Sequence, residues 1–166
     1  MSISKKISSV AAVAFVAALS SGAAHAASVT ASASATIATP ITISQTAAMD
    51  FGTVSAAATT GTAVLATTNG LTVTGGVKAL GGTPTAAAFS VSGQSGSTFS
   101  VTLPTTATLA SGANSMSIST FNHSAGATPA LTGGSATFNV GGTLNIGANQ
   151  AAGAYTGTYA VTVNYN

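Results

Sequence analysis

The sequence predicts an all-β fold, an antiparallel β-sandwich, on three observations. Apolar residues alternate with Ser and Thr in short runs, the period-2 signature of half-buried strands. Turn signals recur about every 8–12 residues, the spacing of sandwich strands. No segment beyond the first 26 residues has helical periodicity with caps.

The elements follow in chain order. Val29, Ala31, Ala33, Ala35 and Ile37 form one alternating run, which Pro40 interrupts and Ile41 and Ile43 continue. Met49 and Phe51 flank Asp50 ahead of Gly52. Ala63–Ala66 and Leu71–Thr74 read as a hairpin, because Thr67-Thr68-Asn69-Gly70 between them ends in Asn-Gly, a strong hairpin signal. Phe89 and Val91 make a strand, Gly93–Gly96 a turn, and Phe99, Val101 and Leu103 the next strand, closed by Pro104. Met116 and Ile118 follow the turn Ser111-Gly112-Ala113-Asn114. Phe138 and Val140 precede Gly141-Gly142, after which come Leu144 and Ile146. In the last strand Tyr155, Tyr159, Val161, Val163 and Tyr165 share one face, with Thr156, Thr158, Ala160, Thr162 and Asn164 on the other. That alternation directs the large side chains to a single core.

Composition narrows the function. The chain has 166 residues, of which 46% are hydrophobic and 2% charged. A soluble domain is about a quarter charged. The four charged residues are Lys5, Lys6, Asp50 and Lys78. The first 26 residues have the pattern of a cleaved secretory signal: Lys5-Lys6, the apolar run Ile7–Leu19, and Ala24-His25-Ala26 as the cleavage site. The apolar run is shorter than the ~20 residues a membrane span needs. The pattern predicts export. The remainder, carrying one Asp and one Lys, has no cationic patch for nucleic acid or for anionic lipid. It divides into an extension, 27–39, and a domain, 40–166. Composition is even throughout and no linker breaks it. Neutrality with high hydrophobicity argues against disorder. Zero cysteine means that oxidation takes no part in stability.

The inventory for chemistry is nearly empty. Past the leader, Asp50, Lys78, His123 and three tyrosines are the titratable side chains, with no Glu, Arg or Cys. Paired carboxylates are impossible, and Gly-x-Ser-x-Gly is absent. One His and one Asp cannot form a structural zinc site, and no acidic loop offers calcium ligands. Asp50 reads as a turn residue capping backbone N–H groups. Lys78 reads as a solvated charge, with a Lys–Asn crosslink beside Asp50 as its functional alternative. His123, in Phe121-Asn122-His123-Ser124, reads as a polar loop, and Asn122-His123-Ser124 also fits a glycosylation sequon. Gly75-Gly76, Gly81-Gly82, Gly133-Gly134 and Gly141-Gly142 read as turns and bulges rather than a phosphate cradle. The expectation is a non-catalytic protein with no catalytic, cofactor or metal site.

Charge bears also on assembly. Soluble β proteins guard their sheet edges with Lys, bulges or covering loops, and this chain has almost no charge for that task. Its edges are then either a liability or a means of joining partners.

The order Met49-Asp50-Phe51-Gly52, Phe89-Ser90-Val91-Ser92-Gly93, Val101-Thr102-Leu103-Pro104, Ala148-Asn149-Gln150 and Gly153-Ala154-Tyr155-Thr156-Gly157, closed by Val161-Thr162-Val163-Asn164-Tyr165, resembles the bacterial domain-of-unknown-function family DUF4402. That family consists of exported, pilin-like proteins without assigned catalysis. The tail also resembles the last strand of archaic chaperone–usher pilus subunits. The resemblance implies an immunoglobulin-like sandwich lacking one strand, which a donor strand completes. It implies a cell-surface fimbria or pilus built from copies of this chain or related subunits, with a periplasmic chaperone and an outer-membrane usher as partners. Val29, Ala31, Ala33, Ala35 and Ile37 become the donor strand. Tyr155, Tyr159, Val161, Val163 and Tyr165 border the acceptor groove and meet the chaperone. Two departures stand: there is no disulfide, and the donor is mostly alanine. A self-complete sandwich acting as a binding or adhesion module, for glycan, ice or a biofilm matrix, is the other reading. Against ice, the sequence has no regular Thr-x-Thr repeat. Against glycan, tryptophan is absent and the tyrosines sit on a core face.

Overall fold

The computed structural model describes residues 26–166, so the leader assigned to residues 1–26 lies, but for its last residue, outside the described residues. Residues 26–35 belong to a unit separate from Thr36–Asn166. They carry no regular secondary structure and are exposed, as are residues 36–40. The strand predicted from Val29 to Ile37 is therefore not formed. Alternation fixes which side chains share a face, but a strand also needs a partner for its backbone, and the described residues offer this segment none.

The second unit is all-β, with every paired strand antiparallel. Its strands are β1 (Thr42–Ala47), β2 (Thr53–Ser55), β3 (Gly61–Leu65), β4 (Leu71–Gly75), β5 (Lys78–Gly81), β6 (Ala87–Ser92), β7 (Phe99–Thr102), β8 (Thr106–Ser111), β9 (Asn114–His123), β10 (Ser135–Ile146) and β11 (Thr162–Tyr165). β10 organises the rest. On one edge it pairs first with β6 and then with β3, and on the other with β9. β1 extends the sheet beyond β6, β4 beyond β3, and β8 beyond β9, giving seven strands. β7 and β11 form a separate pair, as do β2 and β5.

Gly141-Gly142, read from the sequence as a turn or a bulge, lies inside β10. The ladder to β9 shifts register between Gly141 and Thr143, so the glycine pair is a bulge within one long strand. The reason is close approach: a Cβ on Gly141 would run into the Leu65 carbonyl oxygen of β3. The predicted Asn-Gly hairpin is the β3–β4 connection. Its loop closes with Ala66 N–H on the Gly70 carbonyl at 2.8 Å. Asn69 takes the left-handed conformation, φ 69°, as in three-residue hairpin loops. The Phe121–His123 segment, expected as a loop, is the end of β9 and pairs with β10.

Two apolar clusters hold the domain. Phe89, Val91, Phe138 and Val140 from β6 and the first half of β10 face Phe99 of β7 and Val163 of β11, in a sandwich-like packing. Leu144 and Ile146 from the second half of β10 pack with Ala63, Leu65, Ile118, Phe51 and Val77. Met49 and Phe121 touch both clusters. The buried aromatic residues are Phe51, Phe89, Phe99 and Phe138, each placed in an apolar position by the sequence.

Candidate groove between the first and last strands

The unpaired edges define the site. Among the described residues β1 is bonded only to β6, and β11 only to β7. They approach each other at one end without pairing. Between β1 and the segment ahead of β11 runs a groove of about 1070 Å³. One wall is Ile43 and Gln45 of β1, continued by residues 48–56, and the other is residues 150–159 with Val161. The floor is apolar: Phe89, Leu109, Met116, Ile118, Leu144 and Ile146. It therefore joins the two clusters of the core. Leu80 of β5, 66% exposed, also faces the groove.

The second wall owes its path to β8. Thr156 exchanges two backbone hydrogen bonds with Ala110, at 2.8 and 3.0 Å. Gly157 lies so near β8 that a Cβ would collide with the Thr108 carbonyl oxygen. From Gly157 to Val161 the chain enters no ladder, and only Thr162–Tyr165 pairs, with β7. The predicted alternation is present: Tyr155, Tyr159, Val161 and Tyr165 are half-buried, Val163 is buried, and the residues between them are exposed. Of the five, Tyr155, Tyr159 and Val161 line the groove. Val163 belongs to the core. Tyr165 instead sits at one end of the domain, where its hydroxyl donates to the Thr39 carbonyl at 2.7 Å and accepts from Gln94 N–H at 2.6 Å.

The candidate donor residues are all exposed, Val29 at 90% and Ile37 at 95%, with Ala31, Ala33 and Ala35 between them. The resemblance implied a groove bordered by the last strand, and Tyr155, Tyr159 and Val161 lie on it. Its opposite wall, residues 48–56 beyond β1, carried no signal in the sequence.

Asp50 fits the capping role expected of it. Its carboxylate accepts from Gly52 N–H at 2.8 Å, and its backbone exchanges hydrogen bonds with Thr85, both 2.8 Å. Lys78 is exposed on β5. His123 stands edge-on to Phe138 at 6.1 Å, with Nδ1 unpartnered. No cluster of three or more His, Cys, Asp or Glu occurs among the described residues, and no helix among them is long and apolar enough to cross a membrane.

Tyr159 packs its ring on Phe121 at 5.1 Å, and its hydroxyl has no hydrogen-bond partner among the described residues. Burial pushes its pKa from 10.0 to about 12, because desolvation disfavours the phenolate. The folded state thus holds the proton more tightly than the unfolded chain. Stability from this source is whole below pH 10 and is lost as pH rises through about 12. Urea midpoints measured from pH 8 to 12 should fall more steeply for the wild type than for Tyr159→Phe, and parallel curves would contradict the burial of this hydroxyl.

The family model of the domain of unknown function DUF4402 matches residues 41–165. The chain belongs to this family. The match begins one residue before β1 and ends with the last residue of β11, so the DUF4402 domain is the unit that holds the groove. The extension from 27 to 39 lies outside the match. No curated protein and no solved structure matches the chain.

Proposed function

We propose that this DUF4402 protein is a non-catalytic structural subunit of a bacterial surface filament, exported through its leader and polymerised by strand donation. One observation carries the reading: the floor of the groove is the domain's own core, flanked by the free edge of β1 and by the segment ahead of β11, which enters no ladder from Gly157 to Val161. An extended segment laid there pairs its backbone with the edges and places alternate side chains on the floor, which is β-augmentation. The exposed alternating segment from Val29 to Ile37 suits the task. At about 3.3 Å per residue it spans about 27 Å, the length of a wall of eight or nine extended residues. The likeness to pilus subunits points the same way and adds an immunoglobulin-like topology, a periplasmic chaperone and an outer-membrane usher. The chaperone occupies the groove until the next subunit's extension replaces it.

Magnitudes locate the affinity. Burying a Val or Ile side chain is worth about 1.5–3 kcal/mol, and an alanine methyl much less. Val29 and Ile37 therefore set the register, while the backbone ladder, at about 0.5–1.5 kcal/mol net per bond, supplies most of the hold.

A second reading, a self-complete adhesion module, draws on the outer face of the sheet. Thr106, Ser119, Thr143, Val64 and Thr72 form one cross-strand row, and Thr108, Ser117, Asn145, Thr62 and Thr74 the next. Asn145 Nδ2 donates to Ser119 Oγ at 2.8 Å, and the Thr62 and Thr74 hydroxyls bond each other at 2.7 Å. This uncharged hydroxyl lattice, absent from any linear repeat, suits glycan, ice or matrix.

One titration separates the readings. A synthetic peptide of residues 28–39, added to the growing full-length chain, should occupy free grooves and shorten the oligomers in proportion to its concentration. An unchanged size distribution, with no peptide bound, would leave only the adhesion module.

A further inference from the structure

The groove poses a choice between two donors. Residues 29–37 lie a few positions ahead of β1 in the same chain, and β1 is one wall of the groove. A reversal at residues 38–41 would lay the extension along its own β1. The groove would then be filled from within, and growth would stop. Loop closure over so few residues is entropically cheap compared with capture of a second molecule, so something must oppose it.

The root of the extension is fastened. Thr39 donates its N–H to Gln94 Oε1 at 3.4 Å, and its carbonyl accepts from the Tyr165 hydroxyl at 2.7 Å. The same hydroxyl accepts from Gln94 N–H at 2.6 Å, which closes a cycle of three residues. Gly93 makes room for it, since a Cβ there would collide with the Tyr165 hydroxyl. Both backbone groups of Thr39 are thus engaged at the domain's end, and Pro40, next in the chain, biases Thr39 toward extended backbone. Reversal would have to break both bonds and leave a favoured conformation.

We propose that Tyr165 is a latch: its hydroxyl holds Thr39 straight, keeps the extension out of its own groove, and so commits the groove to a second copy of the chain. Tyr165 is a positioning residue here, acting through Thr39. The inference rests on the donor-strand reading.

The test is Tyr165→Phe in the full-length chain, which keeps the ring and removes only the hydroxyl. Two readouts are needed: the monomeric share at matched concentration, by light scattering after size exclusion, and hydrogen exchange over residues 29–37. The expected result is a rise of about tenfold in monomer over oligomer, as suits the loss of the bond to Thr39, the one of the hydroxyl's two that holds the extension, at about 1.4 kcal/mol, with residues 29–37 protected in that monomer. Gln94→Ala, which frees only the Thr39 N–H, should act in the same direction and more weakly. An unchanged monomeric share overturns the latch. So does a rise with residues 29–37 unprotected, which would mean that the hydroxyl merely supports the fold. Failure of the donor-strand reading looks different: the wild type itself stays monomeric with residues 29–37 unprotected, and the latch falls with it.

Discussion

Ala33→Asp should abolish polymerisation while leaving the domain as stable as the wild type. Ala33 is exposed, lies outside the DUF4402 domain, and belongs to no strand, so in the isolated chain its carboxylate stays in water at no cost. In the filament it would be the middle residue of the inserted run, facing a floor of Phe89, Ile118 and Leu144. No charged partner waits there. The only other charged side chains of the domain are Asp50, a like charge, and Lys78, exposed on β5. Burying an unpaired carboxylate costs several kcal/mol even after relaxation, and 4 kcal/mol alone is about a thousandfold in association. Deleting residues 27–38 should have the same outcome, with the truncated chain still able to bind the peptide of residues 28–39. Equilibrium sedimentation reads the assembly and urea denaturation reads the fold. Filaments formed by either variant would show that another segment is the donor.

How much of this was legible before the fold was known depends on the kind of signal. Side-chain faces were legible. Phe89, Val91, Phe99, Phe138, Val140 and Val163 all point inward as their alternation required. The capping role of Asp50 and the Asn69-Gly70 hairpin followed from local chemistry, and both are present. Pairing was not legible. β8 escaped notice because Ala107, Leu109 and the hydroxyl residues between them give a weak apolar contrast, although Gly112, at φ 59°, turns the β8–β9 hairpin. For Gly141-Gly142 the sequence left turn and bulge open, because a glycine pair looks alike whether it bends the chain or admits a neighbour's backbone. Likewise the hydroxyl rows of the outer face are built from five strands in register, and no single segment displays them. The groove is the clearest case: it lies between the free edge of β1 and a segment that enters no ladder, and pairing is a long-range property. Composition could suggest only unguarded edges; a groove beside Tyr155–Tyr165 came from the family resemblance alone.

Gly157→Val should unfasten the groove's second wall. The segment Tyr155–Val161 is held to β8 by the Thr156–Ala110 hydrogen bonds and by the close approach of Gly157 to Thr108. A valine Cβ would press on the Thr108 carbonyl oxygen and come within 2.9 Å of Leu109 Cδ2. The carbonyl oxygen belongs to the backbone of β8, which is paired along its whole length with β9, so it cannot retreat. The wall must move instead. Overpacking of this kind costs about 1–3 kcal/mol, and losing the two hydrogen bonds adds about 0.5–1.5 kcal/mol each. The expected loss is therefore about 2–6 kcal/mol in urea unfolding. Gly70→Ala is the control, because its Cβ meets nothing nearer than Ala66 Cβ at 3.9 Å, and it should change stability by less than about 0.5 kcal/mol. The wall also carries Tyr159 and Val161, and once displaced it cannot offer its edge in register with β1. Peptide 28–39 should then bind at least tenfold more weakly to whatever Gly157→Val protein remains folded. Wild-type stability and wild-type peptide affinity in this variant would mean that the segment does not lie against β8, and that the groove has no second wall.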